Sequence, residues 1–326
     1  MSTQYNLFGE PYNYDKEEPK DKPPTQNFDH LPIITSVSGG QSSAYIAANY
    51  PSDSLVFALI RTSDMNCQYK DRTIAKRVED KLQAPFIGTL EDDTIIQTML
   101  ELEQYVGKEI HWVTGPTFDE LIERKGGNYL PNRMSRFCTQ IMKVEPTFYW
   151  SWEKYGGHPV LMNIGYRSEK REIKRANTML SKHAQDGYQY FEASFGLHQE
   201  GRHKGKKKWD PVKWRRASFP MIRDGIDKQD VKDFWRGKPV KFARMNNCVG
   251  CFHRSASLLR MMAQLHPKKM QWFADQESVK KVNGITSFRT WKAGMQYSKI
   301  LQQELLSDLL LDDIEAEGCT SGWCGV

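Results

Sequence analysis

The stretch Ser36-Val37-Ser38-Gly39-Gly40-Gln41-Ser42-Ser43 decides the fold, and we refer to it as the Ser–Gly loop. It follows an apolar run at 31–35 that predicts a buried strand, and it precedes a run at 44–50 that predicts a helix. A strand that leads through two glycines into a helix places backbone N–H groups and hydroxyls at a positive helix end. The loop therefore predicts a phosphate site, because glycines without a Cβ let an anion approach closely.

The composition predicts a cytoplasmic protein of one large or two modest domains. The chain has 326 residues, of which 39% are apolar and 26% charged, and its formal net charge is +6. No run is long enough to span a bilayer, so we expect no membrane partner, and residues 1–24 lack the apolar core of a secretory signal. Six cysteines in such a chain indicate metal or redox chemistry rather than a disulfide scaffold.

Alternating strand and helix patterns predict an α/β fold with a Rossmann-like parallel sheet and helices on both faces. Further strands are predicted at 55–60, 86–88 and 160–165, and helices at 73–82, 92–105 and 118–125. Ligands of such sheets bind at the carboxyl ends of the strands. The Ser–Gly loop, Asp64 and the segment 165–167 all follow strands, so we expect them to converge in one cleft.

The chain divides into four predicted parts. Residues 1–29 are polar and predict a flexible tail, and residues 30–200 form the nucleotide-binding domain. Residues 201–217 are a basic segment, and residues 218–326 form a mostly helical region that bears cysteines. Helices of this last region are predicted at 227–235, 255–265 and 297–311.

Two internal cysteine motifs could carry chemistry. Cys138 has cationic neighbours, which favour a thiolate that acts as ligand or nucleophile, although an inert buried cysteine is the alternative. Cys248 and Cys251 form a C-x-x-C turn in which two thiolates can face one metal or cluster, with a redox pair as the competing interpretation. Cys319 and Cys324 close the chain, either as a frayed end or as further metal ligands.

The basic segment suggests contact with DNA or tRNA. Its cations are interleaved with Trp209 and Trp214, which suits phosphate contacts combined with base stacking. A solvated loop is the alternative. The candidate nucleic-acid residues are Arg202, Lys204, Lys206, Lys207, Lys208, Arg215 and Arg216.

Residues 38–43 resemble the S-G-G-x-x-S pyrophosphate loop (PP-loop) of the adenine-nucleotide α-hydrolase-like superfamily, with matches at Ser38, Gly39, Gly40 and Ser43. Many members carry Asp just before the last Ser, where this chain has Ser42. The departure is compatible with the sulfonucleotide reductase branch and weakens ordinary ATP pyrophosphatase chemistry.

Other segments resemble the phosphoadenosine phosphosulfate (PAPS) reductase family. Residues 136–146 are similar to its cysteine-and-lysine segment, and residues 165–171 to its G-x-R-x-x-E-x-x-R segment with compressed spacing. The residues after the C-x-x-C turn resemble those of members with [4Fe–4S] clusters. The motifs occur in family order over residues 31–277, as in PP-loop proteins common in phages and mobile elements.

The resemblance implies three sets of site residues. The residues implied to bind ATP or a sulfonucleotide (APS or PAPS) are Ser36, Ser38, Gly39, Gly40, Gln41, Ser42, Ser43, Asp64, Gly165, Arg167 and Arg171. The implied catalytic residues are Cys138, Lys143 and Cys324. A [4Fe–4S] cluster, or alternatively zinc, would take its ligands from Cys138, Cys248, Cys251, Cys319 and Cys324.

Three functions follow as hypotheses. The first is adenylation of a nucleic-acid acceptor for sulfur transfer or a related modification, as in the similar DNA phosphorothioation enzyme and tRNA thiolases. The second is reduction of APS or PAPS to sulfite, and the third is a non-catalytic nucleotide-binding regulator or anti-defence protein. The segment Gln4–Phe8 resembles a sliding-clamp docking peptide, and a homodimer is a further expected partner.

Overall fold

A computed structural model describes residues 30–126, 129–282 and 285–303 of the chain. Its strands are β1 (Ile33–Val37), β2 (Ser54–Ala58), β3 (Arg61–Thr62), β4 (Gly88–Thr89), β5 (Ile110–Val113), β6 (Val160–Asn163), β7 (Gln189–Leu197), β8 (Lys207–Ser218), β9 (Ser278–Val282) and β10 (Ile285–Arg289). Its helices are α1 (Gln41–Asn49), α2 (Arg72–Leu82), α3 (Thr94–Val106), α4 (Phe118–Arg124), α5 (Phe137–Thr139), α6 (Glu145–Lys154), α7 (Lys170–Leu180), α8 (Pro220–Arg223), α9 (Lys228–Trp235), α10 (Ala256–Leu265), α11 (Pro267–Asp275) and α12 (Tyr297–Leu301). In the described residues no helix is both long and apolar enough to cross a membrane.

The central sheet has six strands in the order β5-β2-β1-β6-β8-β7. Strand β1 pairs in parallel with β2 and β6, β2 with β5, and β6 with β8, whereas β7 is antiparallel to β8. The predicted α/β class is correct, and this topology is consistent with a Rossmann-like fold. The pairs β3–β4 and β9–β10 lie outside the sheet.

Helices cover both faces of the sheet, as the sequence predicts. Successive side chains of a strand point to opposite faces. Leu55 and Phe57 of β2 therefore pack with α1, α2, α3 and α9, while Val56 packs on the other face with α6 and α7. A third core joins α4, α10, α11 and α12 around the segment that carries Cys248, and it includes Trp272, Phe273 and Trp291.

Several predicted elements differ from the structure. The run 86–88 is not a strand of the parallel sheet, because β4 is short and pairs antiparallel with β3 outside that sheet. The next strand of the sheet is instead β5, which the sequence analysis missed. The helix predicted at 297–311 begins at Tyr297 as expected and ends at Leu301, while its continuation from 304 lies outside the described residues.

The basic segment 201–217 is largely strand rather than loop. Residues from Lys207 onward form β8, which pairs with β6 on one side and β7 on the other. Its first residues are exposed, whereas Val212, Trp214 and Arg215 are buried. The lysines lie at the solvated end of β8, where no neighbouring element of the described chain covers their side chains.

Candidate functional site

The Ser–Gly loop joins β1 to α1 at the carboxyl end of the sheet. Gly40 precedes the first residue of α1 and supplies no side chain to cap the helix, so the first N–H groups of α1 are left for another acceptor. The Ser43 hydroxyl closes the loop, because its Oγ accepts from the Ser38 N–H at 2.9 Å and lies 3.0 Å from the Ser38 hydroxyl. The loop is thus a tight turn that presents a helix N-terminus.

Two glycines let other elements pack against this loop. A Cβ on Gly39 would lie 2.5 Å from Cγ1 of Ile95 in α3. A Cβ on Gly165 would lie 3.0 Å from the backbone nitrogen of Ser43. Close packing, and not only close approach of a phosphate, therefore requires glycine at Gly39.

Arg167 connects the segment after β6 to the loop. Its Nη1 donates to the Ser42 hydroxyl at 2.9 Å, and its Nε donates to the carboxylate of Glu169 at 3.1 Å. The uncharged Ser42 hydroxyl therefore adds no counter-charge to the guanidinium, whose carboxylate partner is Glu169. The predicted contact between the loop and the segment 165–167 is present.

The loop and Arg167 line one open cleft. Its opposite wall comes from α9 and the segment before the C-x-x-C turn. The cationic side chains that line the cleft are Arg167, Lys228, Lys232 and Arg244. Val231, Phe242 and Met245 add an apolar part. This combination suits a ligand with an anionic end and a flat apolar end, such as a nucleotide.

An adjoining pocket, which shares Gly39 and Asn246 with this cleft and is treated as its inner part, holds a buried ion pair. It is lined by the loop together with Glu91, Lys143 and Asn246. The Lys143 Nζ lies 2.8 Å from Oε1 of Glu91, and a π-helical turn at 140–144 carries the lysine. Burial lowers the pKa of Lys143, but the Glu91 charge outweighs it and the pKa lies above its ordinary value. The second carboxylate oxygen of Glu91 is buried and has no hydrogen-bond partner among the described residues.

Three of the predicted cysteines lie in one core. Cys248 belongs to the third core, and Cys138 and Cys251 pack against it. Burial raises the pKa of Cys138 to about 12 and that of Cys248 well above its ordinary value, and the neighbouring Cys251 raises both further. The buried Arg254 holds the C-x-x-C turn by donating to the carbonyls of Asn246, Asn247 and Cys248.

These thiols have the chemistry of ligands for iron or zinc, and the buried Arg254 cation beside them suits a negatively charged thiolate site. In the part of the chain that the structure describes, however, no three His, Cys, Asp or Glu residues stand in a metal-binding arrangement. Cys319 and Cys324, the predicted further ligands, lie outside the described residues, as does Gln4–Phe8. The donor types fit the group, and the described residues by themselves do not form a complete coordination set.

Two predicted binding residues lie elsewhere. Asp64 caps the short turn 65–67 by accepting from the Asn66 N–H at 2.7 Å, and it is not among the residues that line the two parts of the cleft. Arg171 is exposed in the first turn of α7. Ser36, Ser38 and Gln41 line the cleft as predicted.

The predicted nucleic-acid residues are distributed along β8 and the turn before it. Arg202, Lys204, Lys206, Lys207, Lys208 and Arg216 are exposed. Arg215 is 2% exposed and donates to Gln189, and Trp214 is buried and donates to Ser151, so neither is available as a surface contact.

The basic tip of this hairpin lies far from the loop. Ser218 pairs with Asn163 at the carboxyl end of β6, next to the cleft. Lys207 lies eleven residues earlier on the same strand, which is about 36 Å at roughly 3.3 Å per residue. The lysine-rich tip therefore lies beyond the amino ends of the parallel strands, whereas the Ser–Gly loop lies at their carboxyl ends.

Five residues that line the cleft were not predicted from the sequence: Glu91, Lys228, Lys232, Arg244 and Asn246. The spacing of Lys228 and Lys232 places them on one helical face, which is the one signal that could have indicated a shared role. No family model, curated protein or solved structure matches the chain. The geometry by itself provides a helix N-terminus without a side-chain cap, cations around it, and a nearby group of three thiols.

Proposed function

We propose that the protein is a PP-loop enzyme of the PAPS-reductase type, which binds ATP in the cleft and adenylates a nucleic-acid acceptor. The observation that carries the proposal is the convergence of the uncapped N-terminus of α1, Arg167 and Lys143 on one cleft. A helix N-terminus and permanent cations are the groups that bind a pyrophosphate. The apolar side chains of Val231, Phe242 and Met245 would contact the adenine ring.

In the proposed reaction an acceptor oxygen forms a bond to the α-phosphorus of ATP, and the bond from that phosphorus to pyrophosphate breaks. The Ser–Gly loop holds the departing pyrophosphate, and Arg167 stabilises the charge that develops on it. A sulfur nucleophile then displaces AMP, which leaves with the acceptor oxygen. Lys143 supplies a second cation at the deep end of the cleft, where Glu91 holds it in place.

The buried thiols are proposed to hold a [4Fe–4S] cluster, with zinc as the alternative. Cys138, Cys248 and Cys251 would supply three ligands, and a cysteine outside the described residues, Cys319 or Cys324, would supply the fourth. Such a cluster offers electron transfer or sulfur chemistry beside the nucleotide. The basic hairpin tip is proposed as an outer contact for a long nucleic acid, because its distance from the cleft leaves it no role at the reacting atoms.

Reduction of a sulfonucleotide is the second candidate. Ser42 favours it, because the loop lacks the acidic residue that would help collect a divalent cation for ATP chemistry. The hydrogen bond from Arg167 to Ser42 also leaves this cation beside the position of a sulfate or phosphate.

Turnover of ATP labelled at the α-phosphorus distinguishes the candidates. When DNA or tRNA is added we expect release of pyrophosphate and transfer of the label, as AMP, to the acceptor; free labelled AMP should appear only when a sulfur donor is also present. We expect Arg167→Met to lower the rate by about tenfold or more. Arg72→Met, an exposed arginine of α2 outside the cleft, is the control and should leave the rate unchanged. Sulfite from APS or PAPS in the presence of thioredoxin would favour the reductase. Nucleotide binding without either product would indicate a regulator.

A further inference from the structure

Two oxygens that accept hydrogen bonds line the inner part of the cleft without a partner. Oε2 of Glu91 and Oδ1 of Asn246 are both buried, and no residue in the described part of the chain donates to either of them. Both residues belong to the wall of the same pocket beside the Ser–Gly loop. A buried acceptor without a donor costs free energy, and native proteins pair nearly all of them. The two oxygens therefore indicate a ligand that supplies hydrogen-bond donors.

The protein itself fixes the positions of these two residues. Glu91 is 2% exposed, and its backbone carbonyl accepts from the Lys269 ammonium at 2.6 Å. The Lys143 ammonium lies 2.8 Å from Oε1 of Glu91, which leaves Oε2 for another donor. The backbone carbonyl of Asn246 accepts from the buried Arg254 at 2.7 Å. Both acceptors are therefore held in place before a ligand binds.

The free space between these residues is small. It measures about 20 Å³, and one water-sized group needs about 10–15 Å³. One or two hydroxyl groups fit into this space, whereas a purine ring does not. The part of the wall that Glu91, Lys143 and Asn246 form is polar, which suits a hydroxyl better than an apolar group.

The pocket lies where the sugar of a bound nucleotide would lie. Gly39 and Asn246 line both this pocket and the open part of the cleft. Gly39 belongs to the Ser–Gly loop, which is proposed to bind the phosphates, and Asn246 directly follows Met245, which is proposed to contact the adenine ring. The ribose joins the base to the phosphates, so it would lie between these two residues, next to the unpaired oxygens.

We propose that Oε2 of Glu91 and Oδ1 of Asn246 accept hydrogen bonds from the two ribose hydroxyls, one each, and so select a ribonucleotide whose 2′- and 3′-hydroxyls are both free. The inference rests on the proposed function, which places the nucleotide in this cleft. A carboxylate that accepts from a ribose hydroxyl is a common means of recognising a nucleotide. A site built to bind a hydroxyl discriminates strongly against the analogue that lacks it.

The same two oxygens disfavour a nucleotide with a phosphate on its ribose. An ionised phosphate is an acceptor without a hydrogen to donate, and it would bring negative charge to the Glu91 carboxylate. The charge of Lys143 is already compensated by Glu91. ATP and APS, whose ribose hydroxyls are free, therefore fit the site, whereas the 3′-phosphate of PAPS does not.

Calorimetric titration of the full-length protein without an acceptor tests the proposal, with ATP, 2′-deoxy-ATP and 3′-deoxy-ATP as the probes. We expect each deoxynucleotide to bind about tenfold more weakly than ATP, which corresponds to one lost hydrogen bond. Asn246→Ala should bind one of the two deoxynucleotides as tightly as ATP and keep the preference against the other, because Glu91 still binds one hydroxyl. Asn246→Asp retains an acceptor oxygen and should keep both preferences.

The matched control is Asn49→Ala, an exposed asparagine at the end of α1 that is remote from the Ser–Gly loop. Its affinities for the three nucleotides should change less than twofold. In competition against ATP, AMP should bind about tenfold more tightly than adenosine 3′,5′-bisphosphate.

Three results would overturn the proposal. In the first, the unmodified protein binds ATP and both deoxynucleotides equally, and in the second, Asn246→Ala keeps both preferences. In the third, adenosine 3′,5′-bisphosphate binds at least as tightly as AMP, which would assign the pocket to a phosphate beside Lys143. Absence of ATP binding would overturn the proposed function and this inference together, whereas ATP binding without a preference for the ribose hydroxyls would overturn this inference alone.

Discussion

The ammonium of Lys143 lies 2.8 Å from a carboxylate oxygen of Glu91, and both side chains are buried beside the Ser–Gly loop. Two further acidic residues follow Glu91 in the sequence, and they lie near His266 and Lys269, at the start of α11 and just before it. Asp92 lies 3.3 Å from His266, and Asp93 lies 2.7 Å from Lys269. These three consecutive carboxylates thus join the segment before α3 to Lys143 and to α11.

Glu91→Gln is expected to destabilise the protein by about 3 kcal/mol, because it leaves the buried Lys143 charge without its counterion. Urea unfolding measures this loss. Asp80→Asn, which breaks the exposed pair with Lys76, is the matched control and should cause no measurable change. Glu91→Gln combined with Lys143→Met should regain part of the lost stability. A single variant as stable as the unmodified protein would show that the pair is not a buried ion pair in solution.

Asp92 should make the protein sensitive to acid. Burial raises the pKa of Asp92, but the nearby His266 ring at 3.3 Å and the hydrogen bond from the Thr94 N–H outweigh it and hold the pKa at about 2. Because the folded-state pKa is below the ordinary value of 3.8, the stabilisation is complete above pH 4 and is lost as the pH falls towards 2. The shift corresponds to about 2 kcal/mol. Asp92→Asn should remove that part of the acid dependence, and an unchanged pH profile of unfolding between pH 4 and 2 would contradict this assignment.

Gly39→Ala should be destabilising by about 1–3 kcal/mol, because the new methyl group would collide with Ile95. If this collision is the cause, adding Gly39→Ala to a protein that already carries Ile95→Ala should cause no further loss of stability, because the shorter side chain leaves room for the new methyl group. Thermal unfolding of the two single variants and the double variant gives the coupling between the positions. Additive losses would mean that the loop and α3 do not pack as described.

Much of the fold follows from local sequence patterns. The apolar runs of β1, β2 and β6 and the glycine turn into α1 predict a parallel sheet, and α9 and α10 begin within one residue of their expected starts. Strand β5 was missed because it has only four residues and includes His111. The ribbon of β7 and β8 was missed because its exposed end is lysine-rich and lacks the apolar alternation of a covered strand.

The candidate site was predictable only in part. The loop and Arg167 were predictable because each directly follows an apolar run that predicts a strand. Ligands of a parallel sheet bind at the carboxyl ends of its strands. Glu91 begins an acidic run that is also typical of a helix start, so only the fold reveals its contact with Lys143, which lies 52 residues later. The position of the basic tip depends on the register of β8 with β6, which no local pattern contains.

Metal analysis tests the proposed cluster. Protein purified without oxygen should contain about four irons and acid-labile sulfide and should absorb near 400 nm. Cys248→Ser and Cys251→Ser should lose the iron. Cys67→Ala is the control and should retain it, because Cys67 is a buried thiol that is not one of the proposed ligands. One zinc without sulfide would contradict the cluster and support the alternative metal.

Calorimetric titration with ATP tests the central claim that the Ser–Gly loop binds a nucleotide through its phosphates. Gly40 has φ −102° and ψ 146°, an extended conformation that valine also adopts, so Gly40→Val should fold and block only the approach of a phosphate. We expect saturable binding to the unmodified protein and to Arg72→Met, about tenfold weaker binding to Arg167→Met, and no binding to folded Gly40→Val. Unchanged ATP affinity in folded Gly40→Val would contradict the claim.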